Sequence, residues 1–179
     1  MSKKDLKIPP RGLLVTGLIY SPEVEISTIK ENLELEFGPI MFEAGPVAFT
    51  WTKYYEKEMG QGLLRHFIAF DSLVPQDTLA QIKLQAMKLE EQWTKDGNRR
   101  VNIDPGILTA ERLVLATTKN FTHRIYLGSG IYGDLTLIFY KGRFSFLDWT
   151  YPDYKSKFAL GFLNEARKRY LAMIKKKRG

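Results

Sequence analysis

Two stripes of apolar residues at helical spacing, each bracketed by apolar runs of strand character, constrain this chain more than anything else in it. Ile26, Ile29, Leu33 and Phe37 follow one another at steps of three, four and four, which lines one face of a helix. Leu79, Ile82, Ala86, Leu89 and Trp93 repeat the pattern at three, four, three and four. Leu13–Tyr20, Val47–Thr52, Leu63–Phe70 and Arg100–Ile103 are the strand candidates around them. Residues 13–103 therefore read β-α-β-β-α-β, the ferredoxin-like pattern.

The punctuation agrees with that order. Ser21-Pro22 reads as an N-cap followed by Pro at the first helical position, and Gly38-Pro39 as a stop. Lys53–Gly62 is a polar, aromatic loop. Pro75 opens the second helix and Asp96-Gly97 ends it. Asp104-Pro105-Gly106 reads as a turn that closes the fourth strand. Beyond it, Leu113–Thr117 and Arg124–Leu127 are short strands, and Ile131–Tyr140 and Arg143–Leu147 form a hairpin across Lys141-Gly142. A last helix is expected from about Ser156 to Ile174, with Ala159, Phe162, Leu163, Ala166, Tyr170 and Ile174 on one face. The expected fold is α+β: a ferredoxin-like core with additional antiparallel strands and a C-terminal helix. It forms a single domain over 1–179, with 1–11 and 175–179 as loose basic ends.

Composition narrows the class. With 44% apolar and 13% aromatic residues, the chain does not have the makeup of a disordered one. No apolar run approaches the roughly 18 residues of a membrane span. The basic start, MSKKDLKIPPRG, leads into no secretory h-region, so the expectation is a cytoplasmic, unprocessed protein without a membrane partner. Zero cysteines remove thiolate chemistry and cysteine metal sites. With only His66 and His123, a metal site has to lean on carboxylates, which favours Mg²⁺ or Mn²⁺.

The net charge of +7 resembles a nucleic-acid signal until it is located. The first eleven residues carry +3 and the last sixteen +6, which leaves −2 for residues 12–163. Basic ends of this kind attract anions weakly, so RNA is a partner to consider through those ends alone.

Chemistry-bearing residues concentrate between Arg99 and Asp134. Asn102 and Asp104, two apart on a strand, share a face and suit a substrate hydroxyl or a hydrated Mg²⁺; Asp before Pro-Gly equally suits a self-tied turn. Lys119, His123 and Arg124 suit a phosphate or carboxylate, with His123 able to shuttle a proton; a hydrogen-bonded structural histidine beside a surface arginine accounts for the same pattern. His66, inside LLRHFIAF, reads as a strand residue. The glycine spacing of Gly128–Gly133 matches GxGxxG, yet a strand follows it where a dinucleotide site needs a helix, and no P-loop sequence occurs. Gly128-Ser129-Gly130 is a small turn whose amides could nest an anion. Two aromatic loops, Tyr54–Glu58 and Trp149–Tyr154, offer rings for stacking a base or for capping the core. No Ser–His–Asp constellation with a nucleophile elbow can be assembled.

TKYYEKEMG (Thr52–Gly60), VNIDPG (Val101–Gly106), LVLATTKN (Leu113–Asn120), HRIYLGSGIY (His123–Tyr132) and WTYPDY (Trp149–Tyr154) carry a resemblance. Over about residues 8–172 the chain resembles the uncharacterised domain-of-unknown-function family 4416 of bacteria and archaea. The shared motifs fall on Tyr54, Tyr55, Glu58, Asn102, Asp104, Lys119, His123, Arg124, Tyr126 and Tyr151. Members are sometimes labelled GTP-binding, a label that no P-loop in this sequence supports, and the resemblance implies no residue roles.

The leading expectation is a domain that binds a phosphorylated small molecule, in particular a nucleotide. Lys119, His123 and Arg124 would meet the anion, Asn102 and Asp104 a hydroxyl or Mg²⁺, and Tyr54 or Tyr151 the ring. The rivals are three. A metal-dependent phosphoryl- or nucleotidyl-transfer or phosphoester-hydrolysing enzyme would use Asp104 and Glu58 on the metal, with His123 and Asp104 catalytic. The others are an RNA-associated module and a protein-interaction domain.

Overall fold

The strand β1 (Gly12–Tyr20) is buried at every one of its nine residues. A strand with no exposed face belongs in the middle of a sheet covered on both sides. The computed structural model, which describes residues 6–176, places it there. The further strands are β2 (Ile40–Ala48), β3 (Leu64–Val74), β4 (Thr94–Lys95), β5 (Asn98–Arg99), β6 (Val101–Leu108), β7 (Arg112–Thr117), β8 (Arg124–Gly128), β9 (Ile131–Tyr140) and β10 (Arg143–Phe146). The helices are α1 (Ile26–Phe37), the single turn α2 (Glu56–Met59), α3 (Leu79–Glu90) and α4 (Lys157–Lys176). The architecture is a mixed α/β fold whose main sheet has eight strands in the order β10-β9-β7-β6-β1-β3-β2, antiparallel throughout. β8 pairs the first part of β9, on the flank where β10 pairs the last part. β4 and β5 form a separate two-stranded hairpin.

Alternation along the central strands sorts the core into two layers. Leu14, Leu18 and Tyr20 of β1, with Ile68 and Phe70 of β3 and Val101 and Ile103 of β6, pack against Ile29 and Leu33 of α1 and Ile82, Ala86 and Leu89 of α3. The opposite parity, Leu13 and Val15 with Phe67, Ala69 and Leu108, packs against Ala159, Phe162, Leu163, Ala166 and Tyr170 of α4. Phe67 and Phe162 stack at 5.3 Å in this second layer. The Ser156 hydroxyl accepts from the Ala159 amide at 3.1 Å, an N-cap that starts α4 where the sequence placed it.

Several local expectations are corrected. Asp104-Pro105-Gly106 is not a turn: β6 runs straight through it, with Asp104 opposite Gly17, Pro105 opposite Thr16 and Gly106 opposite Val15. Proline is tolerated because the ladder to β7 starts only at Gly106, so the flank of β6 away from β1 is open at Pro105. Ser21-Pro22 forms a turn, closed by the Val24 amide on the Ser21 carbonyl, and α1 begins later, at Ile26. The second strand is Ile40–Ala48 instead of Val47–Thr52, starting directly after Gly38-Pro39. Asp96-Gly97 turns the β4–β5 hairpin rather than ending a helix, and Trp93 lies in a 3₁₀ turn after α3. The loop Lys53–Gly62 contains α2.

The expected loose ends fall partly outside the described residues, at 1–5 and 177–179. Residues 6–11 carry no regular structure, whereas Lys175 and Lys176 are helical.

Candidate functional site

The point where β6 and β7 part is the centre of the polar chemistry. Up to Gly106 the edge of β6 away from β1 has no strand beside it, and side chains satisfy that edge instead. The Glu90 carboxylate accepts the Ile103 amide at 2.6 Å, and Lys83 Nζ donates to the Ile103 carbonyl at 2.9 Å. Both come from α3 and both are buried. Burial pushes the Glu90 carboxyl above the ordinary range, against the pull of Lys83.

Lys83 also donates to Asp104 Oδ1 at 3.1 Å, and Asn102 Nδ2 donates to Asp104 Oδ2 at 2.7 Å. Asn102 and Asp104 thus share the face away from Val101 and Ile103. Burial alone would raise the Asp104 pKa, but Lys83 and Arg65, with the two hydrogen bonds, outweigh it and hold the carboxyl below its usual value. Arg99 extends the network. Its Nη1 donates to Asn102 Oδ1 at 2.9 Å, and its Nε and Nη2 grip both oxygens of Glu58 at 2.8 and 3.0 Å.

Gly17 is the floor of the cluster. It lies opposite Asp104 on one side and Phe67 on the other. A Cβ at this position would sit 2.8 Å from Arg65 Nη2 and 2.8 Å from the Tyr154 hydroxyl, so the missing side chain is what lets both groups close over the strand. The Arg65 guanidinium lies over the rings of Phe67 and Tyr154, 4.5 and 5.1 Å from their centroids, and its Nη2 pairs with Asp153 Oδ2 at 2.8 Å. Arg65 is 1% exposed, and its Nε and Nη1 have no hydrogen-bond partner among the described residues. Burial raises the Asp153 carboxyl even against Arg65. Burial also raises the Tyr55 and Tyr154 phenols, with Asp104 and Asp153 adding to it and Arg65 opposing.

A second group forms a rim. Asp134 of β9, 1% exposed, accepts at one oxygen from His123 Nε2 at 3.0 Å and from Arg124 Nε at 2.8 Å. His123 stacks on Trp149 at 4.6 Å with an interplanar angle of 13°. Arg124 donates through Nη2 to the Tyr151 hydroxyl at 2.7 Å and through Nη1 to the Lys119 carbonyl at 3.0 Å. Lys119 Nζ donates to the Tyr54 hydroxyl and lies over the Tyr54 ring. Trp149 Nε1 and the Thr150 hydroxyl hold this loop to β9 by donating to the carbonyls of Leu135 and Thr136, at 2.7 and 2.6 Å. Those two residues lie in the stretch of β9 between its pairings with β8 and β10. Tyr151 joins rim and floor electrostatically. Burial raises its phenol; Arg124 opposes, and Asp134, Asp104 and Asp153 add to the rise.

The sequence candidates are therefore distributed as follows. Lys119, Arg124, Tyr54 and Tyr151 share the rim, where His123 is tied to Asp134. Asn102 and Asp104 sit at the floor. Glu58 is engaged by Arg99, and no grouping of three His, Asp or Glu side chains suited to a metal ion occurs among the described residues. His66 faces Glu43, Nε2 to Oε2 at 2.7 Å, and burial depresses its pKa. Gly128-Ser129-Gly130 is the β8–β9 turn, with φ of 111°, 54° and 76°. The aromatic loops divide: Tyr154 belongs to the α4 core layer and Tyr55 packs on Phe49, while Tyr54 and Tyr151 are exposed. Two concavities of the surface lie away from all of this, one lined by Glu36, Gln85, Lys88 and Gln92, the other by Arg143, Phe146, Leu160 and Asn164.

Three central residues escape the sequence reading: Arg65, Asp134 and Asp153. Arg65 carries a usable signal. It shares strand parity with Phe67 and Ala69, and a charge on the apolar face of a strand flags a buried pair. Its partner, Asp153, lies 88 residues on, and nothing local announces it.

A family model described as "Domain of unknown function (DUF4416)" matches residues 10–170. Comparison with the curated proteins and with the solved structures finds no match.

Proposed function

The chain belongs to the DUF4416 family, and since that description names no activity we propose one from the site: binding of a phosphorylated small molecule, a nucleotide in particular. The observation that carries it is the convergence on one rim of Lys119, Arg124, Tyr54 and Tyr151, drawn from three segments. Arg124 pairs with the buried Asp134, whereas Lys119 forms no ion pair among the described residues, which leaves its charge for an anion. Arg124 supplies a planar donor fork and Lys119 a mobile point charge, a pair suited to phosphate oxygens. Tyr54 and Tyr151, 63% and 39% exposed, supply rings against which a base can stack.

We read residues 12–108 as a ferredoxin-like core that β7–β10 extend. The order β6-β1-β3-β2, with α1 and α3 on one face, supports that reading. We read the protein as cytoplasmic, for which the absence of cysteine and the lack of any described helix long and apolar enough to cross a membrane are the supports.

The test is a thermal-shift panel of nucleotides and sugar phosphates, each with and without Mg²⁺, on the full chain and on Arg124→Ala. A ligand at about 100 times its Kd stabilises the fold by about 2.7 kcal/mol. The expected result is a shift by one phosphorylated class that Arg124→Ala abolishes. A flat panel, or equal shifts in both proteins, overturns the reading.

A further inference from the structure

The chain treats the two edges of its sheet differently. At one edge β2 is bulged twice, between Ile40 and Phe42 and between Ala44 and Val47, and carries Glu43 and Pro46. Bulges, charges and proline keep an edge strand from pairing with another chain. On the opposite flank β8 pairs β9 and no other strand among the described residues, so one side of its backbone is open. Its only charge is Arg124, which is turned onto Asp134, and its only bulge lies at the turn end, between Tyr126 and Gly128.

The side chains on this open edge are apolar and exposed. Ile125 is 72% exposed, Tyr126 60% and Leu127 43%, and Phe121, in the turn that leads into β8, is 62% exposed. Ile125 lies opposite Gly133, and a Cβ at Gly133 would sit 3.4 Å from both Leu127 Cδ1 and Val114 Cγ1, so the three side chains share a face. Ala80 and Met87 of α3 pack against the same cluster as Val114, and the exposed Leu84 lies on their flank of that helix. Tyr126 takes the other face, against Tyr132 at 5.2 Å. The patch therefore wraps both faces of an open strand.

A second copy of this chain suits that patch. No charged residue occurs from Ile125 to Gly133, so the strand can meet itself without like charges. In an antiparallel pair about a twofold axis at Tyr126, Arg124 lies toward the partner's Gly128 and away from the partner's Arg124. Leu84, Phe121, Ile125, Tyr126 and Leu127 offer roughly 500 Å² of side chain in each copy, so a pair hides about 1,000 Å², the low end for a specific interface.

We propose that two copies of this chain pair β8 to β8, antiparallel about an axis at Tyr126, so that one sheet runs through a weak dimer. This pairing does not depend on the ligand reading of the rim.

Sedimentation equilibrium of the full chain, from low to high micromolar concentration, tests it beside the double variant Ile125→Lys, Leu127→Lys. The natural chain is expected to dimerise reversibly, and the double variant to raise the dissociation constant at least about tenfold. The chain has no cysteine, so Tyr126→Cys carries a single thiol. On the axis that residue faces its own copy at about 5 Å between Cα atoms, within disulfide reach. Mild oxidation should therefore cross-link Tyr126→Cys and not Lys168→Cys, on the exposed side of α4. Should the lysine variant fail to fold, the cross-linking decides alone. A natural chain that stays monomeric throughout overturns the proposal and leaves the edge to an extended segment of another protein. A dimer that the two lysines leave unchanged, or equal cross-linking of the two cysteine variants, overturns the pairing through β8.

Discussion

The floor around Gly17 and the rim around Arg124 are built from the same residue types, arginine, aspartate, lysine and tyrosine, each around a buried arginine–aspartate pair, and differ in what surrounds that pair. At the floor Arg65 and Asp153 are buried in side chains that belong to the α4 core layer. At the rim Lys119, Tyr54 and Tyr151 face solvent. A buried ion pair is held by its surroundings, and breaking it leaves a charge with no water to replace the partner. The rim has a buried pair of its own, Arg124 with Asp134, 11% and 2% exposed, but Lys119, Tyr54 and Tyr151 around it are free to meet a ligand. The floor is thus where substitutions register as stability, the solvent-facing side chains of the rim where they register as binding.

The largest expected effect is at Arg65. Arg65→Ala leaves Asp153 buried and unpaired, and unfolding by urea should show a loss of about 3–5 kcal/mol. The double variant Arg65→Met, Asp153→Leu should recover much of that loss, because it removes both charges and keeps the volume. If Arg65→Ala unfolds like the natural chain, the floor is no more structural than the rim and the contrast collapses.

Gly17→Ala comes next. The added carbon sits 2.8 Å from Arg65 Nη2 and from the Tyr154 hydroxyl, and both groups have to move. A cost of about 1–3 kcal/mol in the same unfolding experiment is expected. No change would mean that the cover over the strand yields freely.

Titration separates the two carboxylates that flank Arg65. Asp104 has its folded pKa below its unfolded value, so its stabilisation is present above about pH 4 and is lost as the pH falls through the folded pKa. The stability difference between the natural chain and Asp104→Asn should therefore shrink from pH 7 to pH 3. Asp153 is raised, so its contribution runs the other way. The natural chain should gain on Asp153→Asn as the pH drops through the raised folded pKa toward about 4. Parallel curves for the two variants would contradict the opposite settings.

The smallest effect belongs to Lys119→Ala. Its stability should stay within about 0.5 kcal/mol of the natural chain, as for an ordinary surface position. Its loss should appear instead as a weaker thermal shift with whichever phosphorylated compound binds. A large drop in stability would place Lys119 with the floor.

Much of the element order was legible before the structure. The helical stripes of α1, α3 and α4 and the runs of β1, β3, β7 and β9 are local patterns, and Ile131–Tyr140 matches β9 residue for residue. Asp104-Pro105-Gly106 was misread for a physical reason. A turn signal is a statement about the backbone of a few residues, whereas the pairing of β6 with β1 supplies eight partners that outweigh it. Val47–Thr52 failed similarly, because β2 takes its register from β3 across Ile40–Ala48 and not from its own β-branched content. Within the site, Asn102 with Asp104 was recoverable from alternation, as was the proximity of His123 to Arg124. Arg65 was readable as a buried charge, but its meeting with Asp153, and that of Arg124 with Tyr151, depend on how distant loops cross the sheet.

What the sequence determines by itself is periodicity: which residues form strands and helices, which face of each is apolar, and which polar side chains share a face. Those follow from 2-fold and 3.6-fold repeats that act over a few residues. What only the tertiary structure decided is company. The parting of β6 from β7 opened an edge that Glu90 and Lys83 close, Gly17 made room for a guanidinium, and three segments brought Lys119, Tyr54, Arg124 and Tyr151 to one rim. Long-range pairing of this kind is set by the packing of the whole chain, and no window of neighbouring residues encodes it.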